Sequence, residues 1–324
     1  MVHNVVTLTC MHRDFMVITS IFTGAHQPIR SVSLPTRVEL ESEPLLQSLK
    51  SFQVSSCNAK TTPFGLEEIQ VALVGLAELY NSVGKLVQSS STQQALVHYK
   101  EGKLVEEALN ESVVLIDSCS SARDIILTMK QIIQTLQSAL RRKCANSIVE
   151  SHVRAYFSYR RKAKKEIGSY IGVLKRMEND RTTDFFLLWD IQNHDLLPVI
   201  KLLREARSVS ISIFGELLAF LSAPVVKGKA RGWSLVSQLM PVIKSGSGKG
   251  QKTVNDMENV DIALNSLLGQ GRGACGNDNK AGVQIAQRRI GTLASSFEGI
   301  ESGLDSMFKC LVKHRVCFLN MLVH

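Results

Sequence analysis

Aromatic residues are scarce in this chain: twelve Phe, five Tyr and two Trp make up 6% of its 324 residues. β-Sandwiches carry more aromatic and β-branched strands than this, whereas cores of Leu, Ile, Val, Ala and Met suit helical bundles. Long apolar runs are also missing. None approaches the ~20 residues that span a bilayer. Phe15 to Phe22 is apolar only in part, and Arg13 and Asp14 interrupt the region before it. The first 25 residues therefore lack a signal-peptide layout, and an organelle transit peptide has only weak support there. The cysteines, at 10, 57, 119, 144, 275, 310 and 317, are odd in number and show no CxxC or metal-finger spacing. That argues for a reducing intracellular compartment, with the cytoplasm expected.

Signatures of chemistry are equally thin. Gly271-Arg272-Gly273-Ala274-Cys275-Gly276 fits GxGxxG, but a dinucleotide site needs a strand before it and a helix straight after. Here a helical pattern precedes it and Asn277-Asp278-Asn279 follows, so it reads as linker. Gly246-Ser247-Gly248-Lys249-Gly250 lacks the spacing of a phosphate-binding loop. The eight histidines form no HExxH motif and no i, i+4 pair. No catalytic residue, metal ligand or cofactor is assigned.

What the chain does have is periodicity. Four stretches place apolar residues at spacings of three and four. They are Leu66 to Val87, Leu115 to Leu140, Val153 to Met177 and Ile290 to Met321. Such spacing lines one face of a helix and packs it on another at a shallow, coiled-coil-like angle. Cys119 lies on the second stripe and reads as a small core residue. Two polar residues interrupt the pattern. Arg160 sits in the third stripe, where two readings stay open: it packs with the stripe, or it sits at the stripe's edge and extends to water. His314 sits in the last and is expected to be hydrogen-bonded or edge-facing.

The expected architecture is all-α: an elongated up-and-down bundle of long antiparallel helices behind a disordered N-terminal tail. Residues 1–40 show no helical period and form that tail. A single bundle domain spans 41–324, with Pro44 in the first turn of its first helix. Further helices are expected over Phe64–Val87, around Gln93–Leu96, and over Ser112–Lys143, Ser147–Met177, Pro198–Phe220 and Val254–Leu268. The final helix runs from about Val283 to the end. Gly-, Ser- and Lys-rich linkers fall near 225–252 and 269–282. The last stripe is long enough to pack within the chain or against a second copy, so a homo-oligomer stays open.

Charge is concentrated. Between Arg141 and Arg176 eleven cations face only Glu150 and Glu166, a local net of +9 that equals the net charge of the whole chain. The candidate patch for an anionic partner is Arg154, Arg160, Arg161, Lys162, Lys164 and Lys165. Such a footprint suits lipid headgroups, a phosphoprotein or nucleic acid. No recognised nucleic-acid module is present, so lipid or protein is favoured. The competing reading is a solvated bundle face. In the tail, Arg30-Ser31-Val32-Ser33-Leu34-Pro35 reads R-S-x-S-x-P. With Ser33 phosphorylated, Arg30, Ser31, Ser33 and Pro35 fit the docking pattern of 14-3-3 proteins.

Several short words recur in a familiar order: the tail motif, LAELY at Leu76–Tyr80, QQAL at Gln93–Leu96, and LQSALRRK ending at Lys143. Tyr156–Lys165, Leu203–Pro224, GWSLVS at Gly232–Ser237 and Ile300–Leu322 follow. Together they resemble the plant-specific domain-of-unknown-function family numbered 241, grouped with BYPASS-type proteins. The resemblance covers roughly residues 26–324. Residues 1–25 read as extra sequence before the usual start, and DFFLLWDIQ at Asp184–Gln192 has no counterpart. The resemblance implies a role in root and shoot development and carries no catalytic residues. The reading placed first is a non-enzymatic adaptor acting through protein contacts. A peripheral membrane protein held by a basic helix is the alternative, and an enzyme of unrecognised class comes third.

Overall fold

The computed structural model describes residues 34–57, 65–98, 103–142, 146–179, 196–223, 255–269 and 276–323. Among these, every regular element is a helix: α1 (Leu34–Cys57), α2 (Leu66–Val87), α3 (Ser90–His98), α4 (Lys103–Arg141), α5 (Asn146–Asn179), α6 (Leu196–Leu221), α7 (Asp256–Gly269) and α8 (Gly276–Val323). Local chemistry explains several starts. Glu68 reaches back to the Gly65 amide at the head of α2, one half of a capping box. Ser89 Oγ accepts from the Thr92 amide at α3, and Asn255 Oδ1 from the Glu258 amide at α7. Pro198 lies in the first turn of α6, where its missing N–H costs nothing.

Side-chain registers give the helix directions. Lys50 meets Glu205 and Gln53 meets Ser208, so α1 and α6 run parallel. Asn81 meets Cys310 and Gln88 meets Cys317, so α2 and α8 are also parallel. Arg123 pairs with Asp305 and Arg315 bonds Ser112, so α4 and α8 are antiparallel. The long helices thus alternate in direction along the chain, as an up-and-down bundle requires. Their spatial order is different. α8 lies between α2 and α4, α4 packs on α5, α5 on α6, and α6 on α2, closing a ring of five helices. α1 covers α2 and α6, and α7 packs on α8 and α5.

The apolar stripes are the core of this ring. Every position of the first, second and last stripes is buried, and Cys119, Phe297, Ile300 and Leu304 have no exposed surface. Burial pushes the Cys119 thiol up to about 12, as expected for an inert core cysteine. Gly303 lets α2 and α8 approach closely, since a Cβ there would meet Leu73 Cβ at 3.1 Å.

Several boundaries depart from expectation. Helix begins at Leu34, so residues 34–40 belong to α1 and Pro44 lies in its interior. Pro44 removes one bond, to the carbonyl four residues back, while Ser42, Leu46 and Leu49 are buried and α1 packs on α2 and α6. α4 starts at Lys103, nine residues before Ser112, because Val105 and Leu109 extend its buried stripe. α8 starts at Gly276, so the second linker is shorter than the span 269–282. The linker at 225–252, the segment 184–192 and residues 1–33 lie outside the described residues. Among the described residues no helix is long and apolar enough to cross a membrane.

Candidate interaction surface on helix α5

Helix geometry divides the basic segment into two faces. At 3.6 residues per turn, Arg160 and Arg161 point ~100° apart. Arg154, Arg161, Lys165 and Arg176 recur at near-multiples of a turn and are all exposed. Lys162, Lys164 and Lys175 flank that line and are exposed too. The one acid on the same line is Glu150, which pairs with Arg154 at 2.6 Å one turn away. The outward side of α5 is therefore a cationic ridge some six turns long, from Arg154 to Arg176, in its helix of 34 residues.

Arg160 belongs to the other face, which corrects its placement in the patch. Its side chain is 1% exposed and pairs with Asp261 of α7 at 2.9 Å, itself fully buried. It does not reach water. Its Nη1 donates to the Leu221 carbonyl at 3.2 Å and its Nη2 to the Ala223 carbonyl at 3.1 Å. Those carbonyls close the C-terminus of α6, whose dipole favours a cation. Tyr156, one turn earlier, donates its hydroxyl to the other Asp261 oxygen at 2.9 Å. Burial, then the Asp261 charge, holds the Tyr156 hydroxyl well above the usual phenol range, so it stays a donor. The arrangement is reciprocal. From α6, buried Arg207 donates to the Met177 carbonyl in the last turn of α5 and pairs with Glu111 of α4 at 2.8 Å. Each of the two antiparallel helices supplies an arginine to the other's end.

Asp261 was legible in principle. It is an acid on the apolar line Met257, Val260, Leu264, matching a cation on the apolar line of α5. His314 is neither at an edge nor hydrogen-bonded through Nε2. It is buried edge-on between Tyr80 and Phe318, with ring centroids 5.2 and 4.7 Å away. Burial lowers it to about 4, so it is neutral near pH 7. Of the tail motif, Arg30, Ser31 and Ser33 lie outside the described residues, while Pro35 is the second residue of α1.

The family model for protein BPS1 matches residues 72–321, from within α2 almost to the end of α8. No curated protein matches, and no solved structure does.

Proposed function

The chain belongs to the BPS1 family, and from that premise we propose that it is a non-enzymatic regulatory or adaptor protein of plant growth, acting in root and shoot development. The observation that supports this most directly is the outward ridge of α5. Arg154, Arg161, Lys162, Lys164, Lys165, Lys175 and Arg176 are exposed together on a helix whose other face is anchored in the core. Such a ridge attracts an acidic segment of a partner protein and steers its approach. The direct test is proximity labelling in root tissue with wild type and a variant carrying Arg161→Glu, Lys162→Glu, Lys164→Glu and Lys165→Glu. Loss of acid-rich neighbours in the variant is the expected result, and an unchanged set of neighbours defeats the reading.

The same ridge supports a second reading, a peripheral contact with anionic lipid. A salt wash of root membranes then releases the protein, because screening weakens exposed charge pairs. Equal binding to neutral and anionic vesicles rules it out. Docking of a 14-3-3 protein on phosphorylated Ser33 remains a proposal with one structural consequence. Pro35 lies in the first turn of α1, so an extended docked tail would unwind that turn. A phosphopeptide over residues 28–38 that binds no 14-3-3 protein would dispose of it.

A further inference from the structure

The seam between α4 and α8 changes character along its length. Near one end Arg315 bonds the Leu109 carbonyl and Ser112 Oγ. Further along, Arg123 meets Asp305 at 2.5 Å and Lys130 meets Glu301 at 2.5 Å. At these levels the charges across the seam are complementary. The antiparallel register then brings Gln137 to Gly291, where a Cβ would lie 3.8 Å from Gln137 Nε2. It next brings Arg141 to the level of Gln287 and Arg288. Here an open surface cleft of about 390 Å³ is lined by Gln137, Arg141, Gln284, Gln287 and Arg288, of which Arg141, Gln284 and Arg288 are exposed.

Among the described residues two guanidinium groups and three carboxamides line this cleft, and no carboxylate does. Like charges that line one groove repel, and an anion bound between them relieves that repulsion. Among the described residues, the seam that supplies an acid for each cation at Arg123 and Lys130 supplies none to the cleft at Arg141 and Arg288. The neighbouring Arg142 turns back to its own helix, its Nε donating to the Ser138 carbonyl at 3.2 Å. That offsets part of the negative dipole end of α4 beside the cleft.

We propose that this cleft binds a small, multiply phosphorylated anion. The guanidinium fork matches two phosphate oxygens at once. The carboxamides add N–H donors without adding negative charge. The volume lies in the range of small-molecule sites and exceeds what one inorganic phosphate fills. The chemistry is that of clustered phosphate monoesters, whether on a soluble inositol polyphosphate or on a phosphoinositide headgroup. None of the five lining residues is on α5, so the site is separate from the cationic ridge.

The test uses the full chain. Calorimetric titration with myo-inositol hexakisphosphate, and in parallel with inorganic phosphate, probes the soluble source. Sedimentation with phosphatidylcholine vesicles, with and without a phosphatidylinositol bisphosphate, probes the lipid source. Saturable binding in either arm is expected to weaken at least about tenfold with Arg141→Gln and with Arg288→Gln. It is expected to change by less than about twofold with Arg161→Gln on α5. Wild-type titration followed by NMR should also move the side-chain amides of Gln137, Gln284 and Gln287, a readout independent of any variant's folding. Binding that survives both cleft substitutions, or that falls only with Arg161→Gln, overturns the proposal and assigns the anion to the ridge. Absence of binding in all arms overturns it as well and leaves the partner reading of the ridge untouched.

Discussion

Arg160 and Arg161 are neighbours in sequence with identical side chains, and α5 uses them in opposite ways. Arg160 is sealed against Asp261, Leu221 and Ala223, while Arg161 stands in solvent with Lys165 beside it. The difference is the ~100° that one residue turns around a helix. A run of charge on a helix is therefore two populations. One is desolvated and must be paired, because an uncompensated buried ion is costly. The other keeps its water, contributes little to folding and is free to meet a partner. Counting cations along the segment measured the sum and hid the division.

The largest expected effect breaks the buried side of this comparison. Asp261→Ala leaves Arg160 charged and buried, which should cost about 3–5 kcal/mol. Urea unfolding of wild type and variant measures it, and a loss below about 1 kcal/mol means Arg160 has found water. Adding Arg160→Met to that variant should restore part of the loss, since an apolar pair no longer carries a desolvated charge.

His314 sharpens the comparison from another direction, as a polar residue on an apolar stripe with no hydrogen bond at Nε2. Its folded value of about 4 lies below the ordinary 6.5, so the unfolded chain binds the proton more readily. The contribution is complete above about pH 6.5 and is lost as pH falls toward about 4, on the order of 3 kcal/mol in all. Glu107 and Glu111 of α4 and Arg204 and Arg207 of α6 line the small cavity beside the ring. His314→Phe should flatten that part of the pH–stability curve, and an unchanged slope would assign it to those groups instead.

On the outer face the expected changes in stability are small. Arg161→Glu with Lys165→Glu should shift unfolding by no more than about 0.5 kcal/mol, while partner capture falls. A larger shift would show that the ridge packs in the fold. Arg154→Ala removes an exposed i, i+4 pair with Glu150 and should cost only about 0.3–0.5 kcal/mol, at the limit of detection by thermal melts.

The stripes were readable because burial repeats with the helix. Leu66 to Val87 and Ile290 to Met321 are buried at each position read from spacing alone. The ends of α1, α4 and α8 were not readable. Gly276 to Gly282 has poor helix propensity yet opens the longest helix, a start that no local pattern signals. For the candidate surface, Arg154, Arg161, Lys162, Lys164 and Lys165 were legible as cations on a helix and Arg160 was misassigned with them. The cleft at Arg141 and Arg288 combines residues 147 positions apart, and no local pattern joins them.

The sequence by itself determined helices, their inward faces and the concentration of charge, because each depends on spacing within one helix. The tertiary structure alone decided the ring order, with α8 between α2 and α4, and the burial of Arg160 against an acid from α7. It also brought Arg141 and Arg288 to one open cleft. Those depend on which faces meet. A stripe of Leu and Ile is complementary to every other such stripe, so apolar periodicity specifies that helices pack without specifying which. Charge placed on or across the seams is what distinguishes one pairing from another.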